Sequence, residues 1–171
     1  VLNVGLASGT VAAGNDLRLG FFRARLATTA ALPACTYSSG VLTASANGAL
    51  TVDSKTVNAS DIILVYQQVT ATQNGLYTVT ATGSAGTPWV LTRSTALNTT
   101  AQWTNGLMFY AWDGTATTGN LRKWFVCTNT GAITLDTTNL TFAEAFLSSL
   151  STASAIYESG GTTLSIAGIA D

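Results

Sequence analysis

Charge is what this sequence most lacks. Among 171 residues there are only 7 Lys or Arg and 8 Asp or Glu, 9% in all, where an ordinary soluble domain carries about 25%. So few cations argue against a nucleic-acid binder, which needs Lys and Arg to displace counterions from phosphates. A disordered acidic segment is equally at odds with 47% apolar residues and a net charge of −1. Histidine is absent, which removes Ser-His-Asp triads, Cys-His pairs and His-ligated zinc. The only glutamates, Glu144 and Glu158, lie near the C-terminal end, so the facing carboxylates of a glycosidase are not in evidence. No apolar run approaches the ~20 residues of a membrane helix. The two cysteines, Cys35 and Cys127, are far apart. One disulfide and two buried free thiols both remain open. The opening Val1-Leu2-Asn3-Val4 has neither an initiator Met nor a basic signal-peptide region, and reads as part of a longer polypeptide.

What is present is a succession of short β-type segments. Residues 1–22 are interrupted by Gly5, Ser8, Gly9, Gly14 and Asn15-Asp16 and read as an N-terminal connector. From Arg23 the texture changes. Leu42–Ala46 alternates, with Asn47-Gly48 as a hairpin turn into Leu50–Val52. Asp53-Ser54-Lys55 is a second turn. Ile62–Tyr66 is a strand buried on both faces. Asn74-Gly75 turns the chain into Leu76–Thr80, which alternates at period two. Trp89–Arg93 follows, with Pro88 at its start, where a missing N–H does least harm. Leu107–Trp112 and Lys123–Cys127 are further strands, and Ile133–Leu135 and Leu140–Phe142 short closing ones. This spacing predicts an all-β domain over 23–143, a compact antiparallel barrel or a sandwich. Phe142, Phe146, Leu147 and Leu150 recur at helical spacing, so a short C-terminal helix is expected, with residues 144–171 as helix and connector.

Candidate chemistry is sparse. Most Asp residues sit in turns or at strand entries, where they serve their own backbone. Asp113 follows Trp112 and precedes Gly114; an aromatic beside a carboxylate can hold a sugar, although a plain turn after a buried strand explains the same residues. Gly83-Ser84-Ala85-Gly86 lacks the Lys-Ser/Thr of a phosphate loop. No metal cluster or cofactor motif is visible. Asn58, Asn98 and Asn139 head formal glycosylation sequons, which a Thr- and Asn-rich chain produces by chance. Of the tryptophans, Trp89 and Trp124 fall in strand patterns and read as core. Trp103, in the polar run Thr99–Asn105, is the one expected at the surface, facing a glycan or partner, or else capping the domain.

Several of these segments, taken together, resemble a domain that recurs in tail-fibre and appendage proteins of tailed bacteriophages. The likeness runs from Arg25–Pro33 through Leu42–Ala44, Asn47–Asp53, Ala59–Val65, Asn74–Val79, Trp89–Arg93 and Trp124–Thr128 to Phe142. Gly9–Leu19 is similar to a linker of such fibres. Cys35 stands where a polar residue is usual, Ser60 replaces a turn glycine, and Ile62 replaces an arginine. The resemblance implies a non-enzymatic virion structural protein without cofactors, assembled in the bacterial cytoplasm and carried on the particle. It also implies a homotrimer in contact with other virion proteins. The near-zero net charge independently favours self-association. The second reading is a receptor-recognition domain holding host surface glycan through Trp103, Trp112 and Asp113.

Overall fold

A computed structural model describes residues 21–145 and the strand pair Ile156–Tyr157 and Thr163–Leu164. Twelve strands lie within 21–145: β1 (Phe22–Ala24), β2 (Leu26–Ala27), β3 (Cys35–Ser38), β4 (Val41–Ala44), β5 (Thr51–Val52), β6 (Lys55–Thr56), β7 (Ile62–Val65), β8 (Gly75–Ala81), β9 (Val90–Arg93), β10 (Met108–Ala111), β11 (Lys123–Cys127) and β12 (Phe142–Ala145). Among the described residues helix is limited to two 3-10 turns, Ala71–Gln73 and Thr100–Gln102. No helix among the described residues is long and apolar enough to cross a membrane.

The strands form a four-stranded sheet, β1-β10-β11-β12, a six-stranded sheet, β2-β7-β8-β9-β4-β3, and the small hairpin β5-β6. Most pairings are antiparallel. Two are parallel, β1 with β10 and β2 with β7, so the sheets are mixed where the sequence predicted antiparallel pairing. Among the described residues no closed barrel forms, and β3 and β12 end their sheets as edges.

Alternation along β7 and β8 explains the layering. Leu64 and Leu76 point into a core shared with Phe109 and Phe125 of the four-stranded sheet. Ile63, Val65, Tyr77 and Val79 point the other way, into a second core with Leu42, Leu91 and the hairpin residue Val52. The six-stranded sheet is thus buried on both faces around β7, which accounts for the unbroken Ile62–Val65 run. Each large side chain buried in this way contributes roughly 1.5–3 kcal/mol.

Several local readings are corrected. Asn47-Gly48 does not close a hairpin, since β4 pairs with β3 and β9 while β5 pairs with β6. Asn47 lacks the positive φ such a turn demands, and Gly48 N–H donates to Thr87 O at 3.3 Å. The true tight turn is Asp53-Ser54, with φ of +50° and +60°. Ile133–Leu135 is a turn region rather than a strand; Ile133 is buried as a core plug. Phe142–Ala145 is a strand paired with β11, not the start of a helix. Phe142 fits a strand as well as a helix, and the open edge of β11 decides for strand. Residues 146–150 of the expected helix, and 1–20 of the N-terminal connector, lie outside the described residues.

Candidate functional site

The two sheets meet at Arg25. β1 belongs to the four-stranded sheet and β2 to the six-stranded one, and Arg25 is the single residue between them. Its N–H donates to Ile62 O at 2.7 Å, while Asp113 N–H donates to its carbonyl at 2.9 Å. The side chain repeats this bridge. It pairs with Asp61, at the entry to β7, and its Nε reaches Asp113 Oδ2 at 3.2 Å, just beyond β10. Asp61 also accepts from Asn58 N–H at 2.6 Å. Ser60, before it, holds φ +69°, a left-handed position that glycine takes without strain. Asp113 Oδ1 accepts from Gly114 N–H at 2.7 Å. That amide first, and then Arg25, hold the Asp113 carboxyl below the usual carboxylate range against the opposing effect of burial. Asp113 therefore serves its own turn and the sheet junction.

Trp112, next to it, is 44% exposed. It follows β10, whose outward positions are Met108 and Tyr110. Across the sheet, Tyr110 pairs with Trp124 and Met108 with Val126. Phe21 lies over this face, its ring centroid 4.5 Å from that of Trp124 and 6.2 Å from that of Tyr110. Tyr110 and Trp124 are themselves 4.9 Å apart. The four-stranded sheet thus presents an aromatic outer face, with Trp112 at its end. Trp124 is only half-buried and belongs to this face, whereas Trp89 is core as expected.

Trp103 is not at the surface. It is 5% exposed, its indole N–H donates to Leu97 O at 3.1 Å, and it packs by Phe109 and Phe142. The polar residues around it satisfy one another. Gln102 accepts from Asn98 N–H and Thr99 N–H, each at 2.9 Å, and donates to Thr95 O at 3.0 Å. The loop closes on itself and drives its one large apolar side chain inward, so Trp103 and Trp112 do not share a surface.

Two further polar centres were missed from sequence. Arg93 is 4% exposed. It donates to Tyr37 OH at 2.9 Å, Asn74 O at 2.9 Å, Thr72 O at 2.8 Å and Asp136 Oδ1 at 3.0 Å, and lies over the Tyr37 and Tyr77 rings. A Cβ at Gly75 would overlap its guanidinium. Burial raises the Tyr77 pKa well above that of a free phenol, and its hydroxyl donates to Gln73 O at 2.6 Å. Nothing in a lone Arg at a strand end signals such a hub. The second centre is Asp53, 7% exposed, which accepts from Thr115 N–H at 2.9 Å and Asn120 N–H at 2.8 Å. It borders an open cavity of about 250 Å³ lined also by Thr28, Thr29, Pro33 and Ser54.

Cys35 and Cys127 are free thiols, and burial raises the pKa of both. Among the described residues no three of the His, Cys, Asp or Glu side chains converge as metal ligands. No family model, curated protein or solved structure matches this chain.

Proposed function

We propose that the protein is a non-enzymatic structural domain of a bacteriophage tail fibre, one that anchors or spaces the host-attachment apparatus on the virion. Its partners are copies of itself, as a homotrimer, and neighbouring virion proteins. The observation that carries this reading is the path of the chain through the four-stranded sheet. β1 and β12 occupy its two edges, and both run parallel to β10. The chain comes in along one edge and leaves along the other in the same direction, as a module joined in series does. The ordered resemblance of Arg25–Phe142 to fibre domains and the scarcity of charge support the same reading.

Exposed Trp112 favours one alternative, a domain that grips host surface polysaccharide. Particles carrying Trp112→Ala separate the two. A structural domain leaves host adsorption per assembled particle unchanged. Loss of adsorption by fully assembled particles would replace the structural reading with the binding one. Turnover of capsule or lipopolysaccharide by the purified chain would overturn both.

A further inference from the structure

We propose that Asn47 is a site of spontaneous covalent modification: the fold directs deamidation to this asparagine and shields two others in the same sequence context. Three Asn-Gly pairs lie among the described residues, Asn47-Gly48, Asn74-Gly75 and Asn105-Gly106. In such a pair the backbone nitrogen of the glycine can attack the side-chain Cγ of the asparagine. Glycine suits the reaction because, without a Cβ, it neither shields that nitrogen nor restricts the backbone that must carry it over the side chain. A new N–Cγ bond closes a succinimide ring as the glycine nitrogen gives up its proton. The Cγ–Nδ2 bond breaks and ammonia leaves. Water then opens the ring at either carbonyl, which yields aspartate or isoaspartate, and nothing is oxidised or reduced. Equal dipeptides predict equal rates; the fold makes them unequal.

The asparagine amide must be able to turn, and the glycine nitrogen must leave its hydrogen bond. Asn74 meets neither requirement. It is 3% exposed, its Oδ1 accepts from Gln68 N–H at 2.9 Å and its Nδ2 donates to Leu140 O at 2.9 Å. Gly75 opens β8, pairs with Val65 and lies against Arg93. Asn105 is at the surface, yet its Nδ2 donates to Asn129 O at 3.0 Å and Gly131 O at 3.1 Å. Gly106 N–H donates to Cys127 O at 3.0 Å. Asn47 differs on both counts. It is exposed, in the stretch between β4 and β5, and among the described residues no hydrogen bond holds its side-chain amide. Gly48 N–H reaches Thr87 O only at 3.3 Å, past the range of about 2.7–3.2 Å for a firm N–H···O bond. A Cβ at Gly48 would meet nothing within 4 Å, so the backbone has room to move. The product adds a carboxylate to a chain with a net charge of −1. Isoaspartate also lengthens the main chain by a methylene just before Leu50, whose N–H donates to Thr82 O at 2.8 Å.

Tryptic mapping of the full folded chain after incubation at neutral pH reads each pair separately. Cleavage after Arg25, Lys55, Arg93 and Arg122 places Asn47, Asn74 and Asn105 in different peptides, 26–55, 56–93 and 94–122, and Asn47 is the only asparagine of its peptide. We expect the mass gain of amide-to-acid conversion to accumulate in peptide 26–55 about tenfold or more faster than in either of the others, a factor equal to about 1.4 kcal/mol of barrier. In water enriched in heavy oxygen the same peptide should also take up a solvent oxygen, as ring opening requires. In guanidinium the three rates should converge, because the bonds that protect Asn74 and Asn105 are gone. Asn47→Gln, at an exposed position, should abolish the gain in peptide 26–55 and leave the other two unchanged. A folded chain whose peptide 26–55 converts no faster than the others would overturn the proposal. So would a ranking that survives unfolding, since the sequence and not the fold would then set it.

Discussion

Two arginines hold this fold, in contrasting surroundings. The Arg93 side chain is 3% exposed and the Arg25 side chain 17%. Arg93 serves two backbone carbonyls, a phenol and one carboxylate. Arg25 serves two carboxylates and, at 3.2 Å, the carbonyl of Thr56. The difference decides what each contributes. The Arg93 guanidinium and the Asn74 carbonyl it serves are buried, so removing the guanidinium leaves that acceptor with no water to turn to, while Asp136, 43% exposed, keeps access to solvent. The carboxylates at Arg25 have solvent close by, and the pairs there chiefly fix where β7 and β10 begin and end relative to the crossing strand.

The sharpest break of this contrast is Arg93→Met. We expect a loss of about 2–4 kcal/mol, since the buried guanidinium is the shared donor to the Asn74 and Thr72 carbonyls, Tyr37 and Asp136. A lower urea midpoint at unchanged denaturant slope would show it. Lysine should not rescue, because one ammonium cannot span four separated acceptors. Next is Gly75→Ala. The φ of +147° and the overlap with Arg93 predict a cost of about 2–3 kcal/mol, and thermal unfolding checks it. Combined with Arg93→Met the cost of Gly75→Ala should shrink, because the overlap is relieved.

Arg25→Met is expected to cost less, about 1–2 kcal/mol, and to change the acid limb of the stability curve. The Asp113 carboxyl has a depressed pKa in the folded state. Its contribution is therefore complete above the unfolded value of about 3.9 and is lost as pH falls through the lower folded one. Without Arg25 the Gly114 amide and the charge of Lys55 maintain a smaller depression, so urea midpoints measured from pH 5 to pH 2 should fall less steeply. The smallest effect belongs to Lys123→Gln. Its 3.1 Å pair with Glu144 is about a third exposed at each partner, and removing it should cost no more than about 0.5 kcal/mol. A cost near that of Arg93→Met would erase the distinction between buried and solvated pairs.

The parts of the fold legible in the sequence are those where one local signal has one solution. Ile62–Val65 is apolar throughout because both faces are covered. Asp53-Ser54 turns the chain as short polar residues do. Leu107–Trp112 and Lys123–Cys127 correctly located the central strands of the outer sheet. The illegible parts depend on distant partners. β1 and β2 are too short to show a period, and their parallel pairing exists only because β10 and β7 supply it. Phe142 fits helix and strand equally until β11 offers an edge. Trp103 sits among polar residues that satisfy one another and so push it inward, the reverse of what their polarity suggested. Of the three side chains singled out as a contact site, Trp112 is exposed, Asp113 is engaged at the sheet junction and Trp103 is core. Arg93 carried no sequence signal, since its acceptors come from three separate loops and strands.

The claim that this chain is a structural domain of a phage fibre is tested most directly by labelling intact particles with an antibody to residues 23–143 and imaging them. The account predicts label on the fibres of assembled virions. Particles free of label, with the chain recovered only from the infected cell, would contradict it.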